Sequence, residues 1–233
     1  MLTKKICVFD FETDGSNPSV CSPVQISAII IDPVKLQVVE GSEFNAFCKP
    51  EVMELDANYR YDTDIIDFHA KVKGCSQDEI YQKWREYPSQ EVTWNAFVSY
   101  LEKYHCFGRK KKTVFSAPIA AGYNINRFDL KIIQRLSEKY KNVDNKEKTS
   151  TLFYPRDVID IMNLVFYWFE SQDLKSYSLD SMREYLGISK DGAHDALKDV
   201  QDCARILIRF MKLHRRLVPK IVFKDSFFND DSI

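Results

Sequence analysis

The chain has 233 residues, which is enough for one large domain and short for two. Its formal net charge is −1, so it lacks the overall basic charge of many nonspecific nucleic-acid binders, although local basic patches are compatible with that total. A hydrophobic fraction of 45%, with no apolar run near the roughly 20 residues of a membrane helix, predicts a globular protein and excludes a membrane-spanning one.

The first third of the chain predicts three strands in succession. Residues 5–11 form a short apolar run that ends in acid, and residues 24–32 are apolar enough to be covered on both faces. Residues 36–48 alternate loosely and predict a third strand after an Asp32-Pro33 turn. The short links between them favour an antiparallel meander.

The rest of the chain is mainly helical in pattern. Residues 50–76 are polar and aromatic with little periodicity, and they predict an ordered insertion with short helical pieces. Residues 109–113 form a basic loop and residues 142–151 a polar loop. One further strand is predicted at 115–124, and helices at 78–86, 91–105, 127–141, 158–170, 178–186 and 195–217.

This order of elements predicts an α/β domain with a mixed sheet flanked by helices. We expect one domain over residues 1–217, which contains the 50–76 insertion and the 109–113 basic loop, and a flexible tail over 218–233.

Two carboxylates follow the first strand at alternate positions, Asp10 and Glu12. Side chains at i and i+2 share one face of a strand, and two like charges at the edge of a core repel unless a cation neutralises them. Oxygen ligands of this kind suit Mg²⁺. Alone, the same pair often marks a solvated strand end.

Later segments contribute more polar groups near helix starts. Asp129 opens the helix after the fourth strand, where the helix dipole alone would favour an acid. His194 precedes the last helix and would by itself suit a capping or surface role. Asp199 lies in the early turns of that helix, beside its apolar stripe, with Asp195 and Asp202 nearby. Together, acids from distant stretches are what two-metal phosphodiester cleavage requires.

The motifs that carry these residues resemble those of the DEDDh (DnaQ-like) 3′–5′ exonucleases, over residues 5 to about 213. FDFETDG is similar to the acidic strand of that family, and HDALKD has its His-x-x-x-x-Asp spacing. GYNINRFD replaces the usual His-Asn pair and, with RDVIDIM and SLDSMREYLGI, is similar to the exonuclease I branch. The resemblance implies a ribonuclease H-like sheet with three antiparallel strands followed by parallel strands.

The resemblance also implies roles for individual residues. Asp10, Glu12, Asp129 and Asp199 would bind two divalent cations, Mg²⁺ or Mn²⁺, and His194 would be the general base for the attacking water. Thr13, Gly15 and Asn124 are candidates for substrate binding, with turn geometry as the alternative role.

The resemblance implies a 3′-to-5′ exonuclease that releases nucleoside 5′-monophosphates, with single-stranded DNA as the expected substrate. RNA trimming and proofreading beside a polymerase remain alternatives on the same fold. A nonenzymatic nucleic-acid-binding module is the alternative from another class, and loss of an acid or of the histidine would favour it; all five are present. The exonuclease I branch has further C-terminal domains, so long processive runs would need a partner.

Six cysteines without CxxC spacing, and the absence of a signal-peptide pattern, predict thiols in a reducing compartment. We therefore expect a cytoplasmic protein, of a bacterium or of a virus-infected cell.

Overall fold

A computed structural model of the chain describes residues 3–61, 63–106, 114–146 and 148–221. The basic loop at 109–113 and the tail from residue 222 onward lie outside the described residues. The described strands are β1 Ile6–Thr13, β2 Pro23–Asp32, β3 Gln37–Val38, β4 Phe44–Phe47, β5 Ile119–Gly122, β6 Val143–Asp144, β7 Thr149–Ser150 and β8 Val158–Asp160. The described α-helices are α1 Glu51–Leu55, α2 Thr63–Lys73, α3 Gln77–Glu86, α4 Gln90–Glu102, α5 Asp129–Lys139, α6 Ile161–Trp168, α7 Leu179–Leu186 and α8 Ala196–Leu217.

The central sheet has the order β3-β2-β1-β5-β8, and β4 also pairs with β2. Strand β2 is antiparallel to β1, β3 and β4, whereas β5 and β8 run parallel to β1 and to each other. The predicted mixed sheet of antiparallel strands followed by parallel strands is therefore confirmed.

Strand β1 sends alternate side chains to two different cores, as the period of two requires. Cys7, Phe9 and Phe11 pack with aromatic side chains of α4 and with α5. Ile6 and Val8 pack on the opposite face against α6, α7 and α8. Asp10 and Glu12 continue the second series, so both carboxylates leave the sheet on the side that α8 covers.

Residues 51–86 add a smaller core beside β2. Val24 and Met53 pack with Ile66, Ile80 and Trp84 there. The predicted short helical pieces within 50–76 are α1 and α2, and the predicted helix at 78–86 is α3. The segment is thus packed onto the sheet by a core of its own.

Several predicted boundaries are wrong. The single strand expected at 36–48 is two short strands, because the chain turns at Gly41, which has a positive φ, and the buried Ser42 hydroxyl accepts from the Ile30 amide. The strand expected at 115–124 is confined to β5, after a 3₁₀ turn at Val114–Ser116 and Pro118, which cannot donate a ladder hydrogen bond.

Two elements were missed by the sequence patterns. The apolar run at 158–170 begins as strand β8 and becomes helix α6 only after Asp160, whose side chain caps the helix by accepting from Met162 N. The polar loop at 142–151 contains the β6–β7 hairpin. Both are short, so neither has enough residues for periodicity to reveal it.

The structure also bears on the predictions about the cysteines and about membrane-spanning helices. All six cysteines lie in described ranges and none forms a disulfide. Among the described helices, none is both long and apolar enough to cross a membrane.

Candidate active site

Three acids converge at the end of β1. Asp10 and Glu12 from that strand and Asp199 from α8 each offer a carboxylate oxygen, and these oxygens all lie within 4.8 Å of one another. Asp10 and Glu12 lie on the same face of β1, and in the register of the sheet they are paired with Ser27 and Gln25 of the antiparallel strand β2. The long-range packing of α8 on β1 and β2 brings in the third.

The ionised forms of these acids are disfavoured where they stand. Burial, reinforced by the neighbouring Asp199, raises the pKa of Asp10 to about 7. Burial together with the nearby Asp10 and Asp199 raises the pKa of Glu12 to about 8. Burial also raises the pKa of Asp199, against the opposing effect of Arg183. A set of carboxylates that repel one another at a strand end is the arrangement that a bound cation relieves.

Asp129 lies next to this cluster without being one of its three converging residues. It is the first residue of α5 and is buried, and its Oδ1 accepts a hydrogen bond of 3.1 Å from the backbone N–H of Phe11, between the two strand acids. Burial and the nearby charge of Asp10 hold its pKa well above the usual range. The predicted helix start is correct, and the side chain is directed at β1 rather than toward solvent.

His194 borders the cluster from the loop before α8. Its backbone has a φ of +64°, and its N–H lies 3.2 Å from Asp199 Oδ1. The side chain is about half exposed, and its Nε2 lies 3.4 Å from Asp180 Oδ2. Its ring also meets the ring of Phe68 edge-on, at 5.7 Å between centroids. The imidazole is therefore beside the acids but accessible from solvent, as a group that exchanges protons with water requires.

A cavity of about 430 Å³ opens beside Glu12. Thr13 and Gly15 line it, as the sequence predicts, and α2 contributes Phe68 and His69 to the opposite wall. The Thr13 hydroxyl donates to the Gly15 carbonyl at 2.7 Å, and the His69 ring nitrogen Nε2 lies 2.9 Å from the Thr13 carbonyl. The backbone after β1 is thereby fixed at the mouth of the acidic cluster.

Asn124 lies in the segment between β5 and α5. It is not among the described residues that line this cavity, and its backbone adopts a φ of +60°. Its N–H donates to Asp160 Oδ1 at 2.9 Å, and the N–H of Asn126 donates to the other oxygen of Asp160 at 3.1 Å. These backbone contacts describe a turn held by the cap residue of α6, and substrate binding by the Asn124 side chain stays a prediction.

The two acids near Asp199 in sequence are paired with basic side chains and lie outside the converging group. Asp195 caps α8 by accepting from Leu197 N and pairs with Lys73 of α2 at 2.8 Å. Asp202 is fully buried and pairs with Lys198 and with Arg183. Neither belongs to the converging group.

The sequence patterns missed Arg183, Asp180 and Phe68 as members of this site. Asp180 and Arg183 lie within the segment SLDSMREYLGI, at a helical spacing of three that places them on one face of α7. That spacing is the only local signal. Phe68 lies in the aromatic insertion, where one exposed phenylalanine cannot be told from the others by sequence.

The donor set fits hard divalent cations. It consists of carboxylate oxygens, without thiolate or converging imidazole ligands among the described residues, and Mg²⁺ and Mn²⁺ prefer such oxygens. The unfavourable charge density of the cluster is the second indication of fit.

Comparisons with known proteins point to nucleases. Residues 108–207 match the sequence model of the RNase T family, whose description is Exonuclease. The chain is 25% identical over 210 residues to the PolC-type DNA polymerase III of Thermotoga maritima. The aligned region is 90% of this chain and 12% of the polymerase.

Solved structures share the fold. E. coli exonuclease I in complex with a dT13 oligonucleotide is similar with a TM-score of 0.63 and 19% identity, over 93% of this chain and 43% of that one. Cell-death related nuclease 4 is similar with a TM-score of 0.60 and 18% identity, over 90% and 64% of the two chains. A 3′-exonuclease that recognises the histone mRNA stem-loop is similar with a TM-score of 0.59 and 17% identity, over 91% and 83%. The chain thus spans a small part of the polymerase and less than half of exonuclease I.

Proposed function

We propose that this chain is a DnaQ-like protein of the exonuclease family whose sequence model matches residues 108–207, and that it is a metal-dependent 3′-to-5′ exonuclease. The observation that carries the proposal is the convergence of carboxylate oxygens of Asp10, Glu12 and Asp199 within 4.8 Å of one another, where Glu12 also lines a cavity large enough for a small ligand. Acids gathered from β1 and α8 at such a cavity suit hydrolysis of a phosphodiester next to a bound chain end.

Asp10, Glu12 and Asp199 would hold two divalent cations, with Asp129 as the fourth carboxylate beside them. When bound, such cations activate a water molecule and stabilise the leaving oxygen. Burial of the acids strengthens their attraction for a cation, because the protein around them screens the charges less than water does. We propose Mg²⁺ or Mn²⁺ for this role.

His194 would be the general base. Its imidazole is half exposed at the edge of the cluster and is tied to Asp199 through its own backbone N–H. A ring nitrogen of a neutral imidazole can accept the proton of the attacking water.

The cavity beside Glu12 would receive the terminal nucleotide. Thr13 and Gly15 present backbone on one side, and Phe68 presents an aromatic face that can stack on an unpaired base. Hydrolysis at the acids would then release that nucleotide as a 5′-monophosphate.

Single-stranded DNA is the substrate that we propose first. The supporting observation is the similarity over 93% of this chain to an exonuclease I structure that contains dT13. The similarity to a 3′-exonuclease of histone mRNA, which covers 83% of that protein, supports RNA as a second candidate. The match to a PolC-type polymerase supports proofreading as a third, with a polymerase as partner.

The proposal is tested with oligonucleotides labelled at the 5′ end, as single or double strands of DNA or RNA, with Mg²⁺ or with EDTA. We expect a ladder that shortens from the 3′ end and disappears with EDTA. Glu12→Gln should abolish it, whereas Glu43→Gln, at an exposed acid outside the cluster, should not. Products that do not shorten from the 3′ end, or cleavage that persists in EDTA, would contradict the proposal. The oligonucleotide that is shortened fastest decides among single-stranded DNA degradation, RNA trimming and proofreading.

A further inference from the structure

A buried arginine joins the proposed metal site to the proposed base. Arg183 of α7 is fully buried, and its side chain is 1% exposed. Its three guanidinium nitrogens each meet a different carboxylate: Nη2 lies 2.6 Å from Asp199 Oδ1, Nη1 lies 2.8 Å from Asp180 Oδ1, and Nε lies 2.9 Å from Asp202 Oδ2. A planar fork has its donors in fixed directions and so fixes the orientation of each of the three acids, whereas the three donors of an ammonium group rotate freely.

The contact with Asp199 is directional. Arg183 and the N–H of His194 both bind the same oxygen of Asp199, Oδ1. Among the described residues, no hydrogen bond is made to Oδ2. The carboxylate is thus turned so that one oxygen is held by protein and the other is left for a cation.

The contact with Asp180 reaches the base. Asp180 Oδ1 is bound by Arg183, and its Oδ2 lies 3.4 Å from His194 Nε2. The contacts form a closed ring, Asp199 to Arg183 to Asp180 to His194, and back to Asp199 through the His194 N–H. The two proposed functional groups therefore share one anchor.

We propose that Arg183 is a positioning residue that sets the orientation of Asp199 and, through Asp180, that of the His194 ring. This inference rests on the proposed function, because it assigns Asp199 to metal binding and His194 to proton transfer. Partners that orient metal ligands typically contribute 10- to 100-fold to metal affinity or activity.

Direct Mn²⁺ binding, followed by electron paramagnetic resonance without substrate, tests the Asp199 branch. Arg183→Met should raise the Mn²⁺ dissociation constant about tenfold or more. A role limited to charge predicts the opposite sign, because removing a cation beside the site would tighten Mn²⁺ binding; equal or tighter binding would overturn the proposal. Arg183→Lys should remain weakened, and wild-type affinity in this variant would show that the fork is unnecessary.

A substitution of Asp180 tests the contact between Arg183 and His194. The Asp180 side chain is 41% exposed, so its replacement should not disturb the packing of the core. Asp180→Asn should lower kcat about tenfold with unchanged KM, and it should weaken Mn²⁺ binding less than Arg183→Met does, since Asp180 meets Asp199 only through Arg183. Glu184→Gln, at an exposed residue on the same helix, is the matched control and should behave as wild type. An unchanged kcat in Asp180→Asn would overturn the proposal, and it decides the question if Arg183→Met fails to fold.

Wild-type protein separates this inference from the proposed function. If it neither binds Mn²⁺ nor shortens oligonucleotides, the proposed function fails. If it does both and the Arg183 and Asp180 variants match it, only the positioning role fails.

Discussion

At the scale of single residues, the acidic cluster stores unfavourable charge. The pKa of Asp10 is raised to about 7 and that of Glu12 to about 8, by burial first and by neighbouring acids second. The same carboxylates that suit cation binding therefore weaken the metal-free fold when they ionise.

The first prediction concerns Asp10→Asn, which removes one of the repelling charges and keeps the shape of the side chain. In EDTA at pH 8 we expect its thermal midpoint to rise by roughly 2–6 °C, and we expect nuclease activity with Mg²⁺ to be lost. Differential scanning calorimetry and the labelled-oligonucleotide assay measure the two effects.

Asp191→Asn, at an exposed acid before α8, is the control for that prediction and should change neither quantity. A lower midpoint in Asp10→Asn would indicate that the carboxylate stabilises the metal-free fold, contrary to the burial that surrounds it.

The second prediction concerns His194→Ala. Loss of the proposed general base should slow kcat by roughly a hundredfold or more, while Mn²⁺ affinity stays near the wild-type value. Single-turnover cleavage of a labelled oligonucleotide and Mn²⁺ titration measure these quantities. His214→Ala, at an exposed histidine of α8, is the control. Full activity in His194→Ala would mean that another group takes the proton.

At the scale of elements, helix α2 contributes both to the core and to the proposed site. It packs on β2 through Ile66, lines the cavity with Phe68 and His69, and pairs Lys73 with Asp195 next to the His194 loop. A segment whose sequence shows little periodicity therefore forms one wall of the proposed nucleotide site.

The third prediction concerns Phe68→Ala. Loss of stacking on the terminal base should weaken binding of a single-stranded oligonucleotide by roughly 5- to 50-fold in metal-free buffer. Fluorescence anisotropy with a 5′-labelled oligonucleotide measures this change. Phe166→Ala, at an exposed phenylalanine of α6, is the matched protein control.

An oligonucleotide whose 3′-terminal residue lacks its base is the matched substrate control. Wild type and Phe68→Ala should bind it equally, since the stacking partner is absent. If Phe68→Ala weakens binding of both oligonucleotides to the same extent, the phenylalanine contacts something other than the terminal base.

At the scale of the whole molecule, the proposed metal binding would be linked to folding through pH. Some carboxyl groups have a higher pKa in the folded state than in the unfolded state. At a pH between the two pKa values, such a group is protonated in the folded state and ionised in the unfolded state. The contribution of such a group to stability therefore falls as pH rises, between about pH 4 and about pH 8 for Asp10 and Glu12.

The fourth prediction follows from that linkage. Cation binding requires the ionised carboxylates, so saturating Mn²⁺ should raise the thermal midpoint more at pH 8 than at pH 5.5. Thermal melts at both pH values, with Mn²⁺ and with EDTA, measure the difference. Asp10→Asn should reduce it, and an equal rise at both pH values in wild type would indicate that the ions bind elsewhere.

The sequence by itself determined what depends on local periodicity. The period of two in β1 put Asp10 and Glu12 on one face, and the period of 3.6 located α3, α4, α5, α7 and α8 within a few residues. The motifs around these acids also indicated the fold, which the structure confirms.

Only the tertiary structure decided what depends on contacts between distant segments. It brought Asp199 to the strand acids and left Asp129 beside them, under the Phe11 amide. It tied the backbone N–H of Asn124 to Asp160, and it buried Arg183 among three acids. Spacing along the chain fixes which face a side chain occupies, but helix packing on the sheet fixes which faces meet, and that packing is set by the whole core at once.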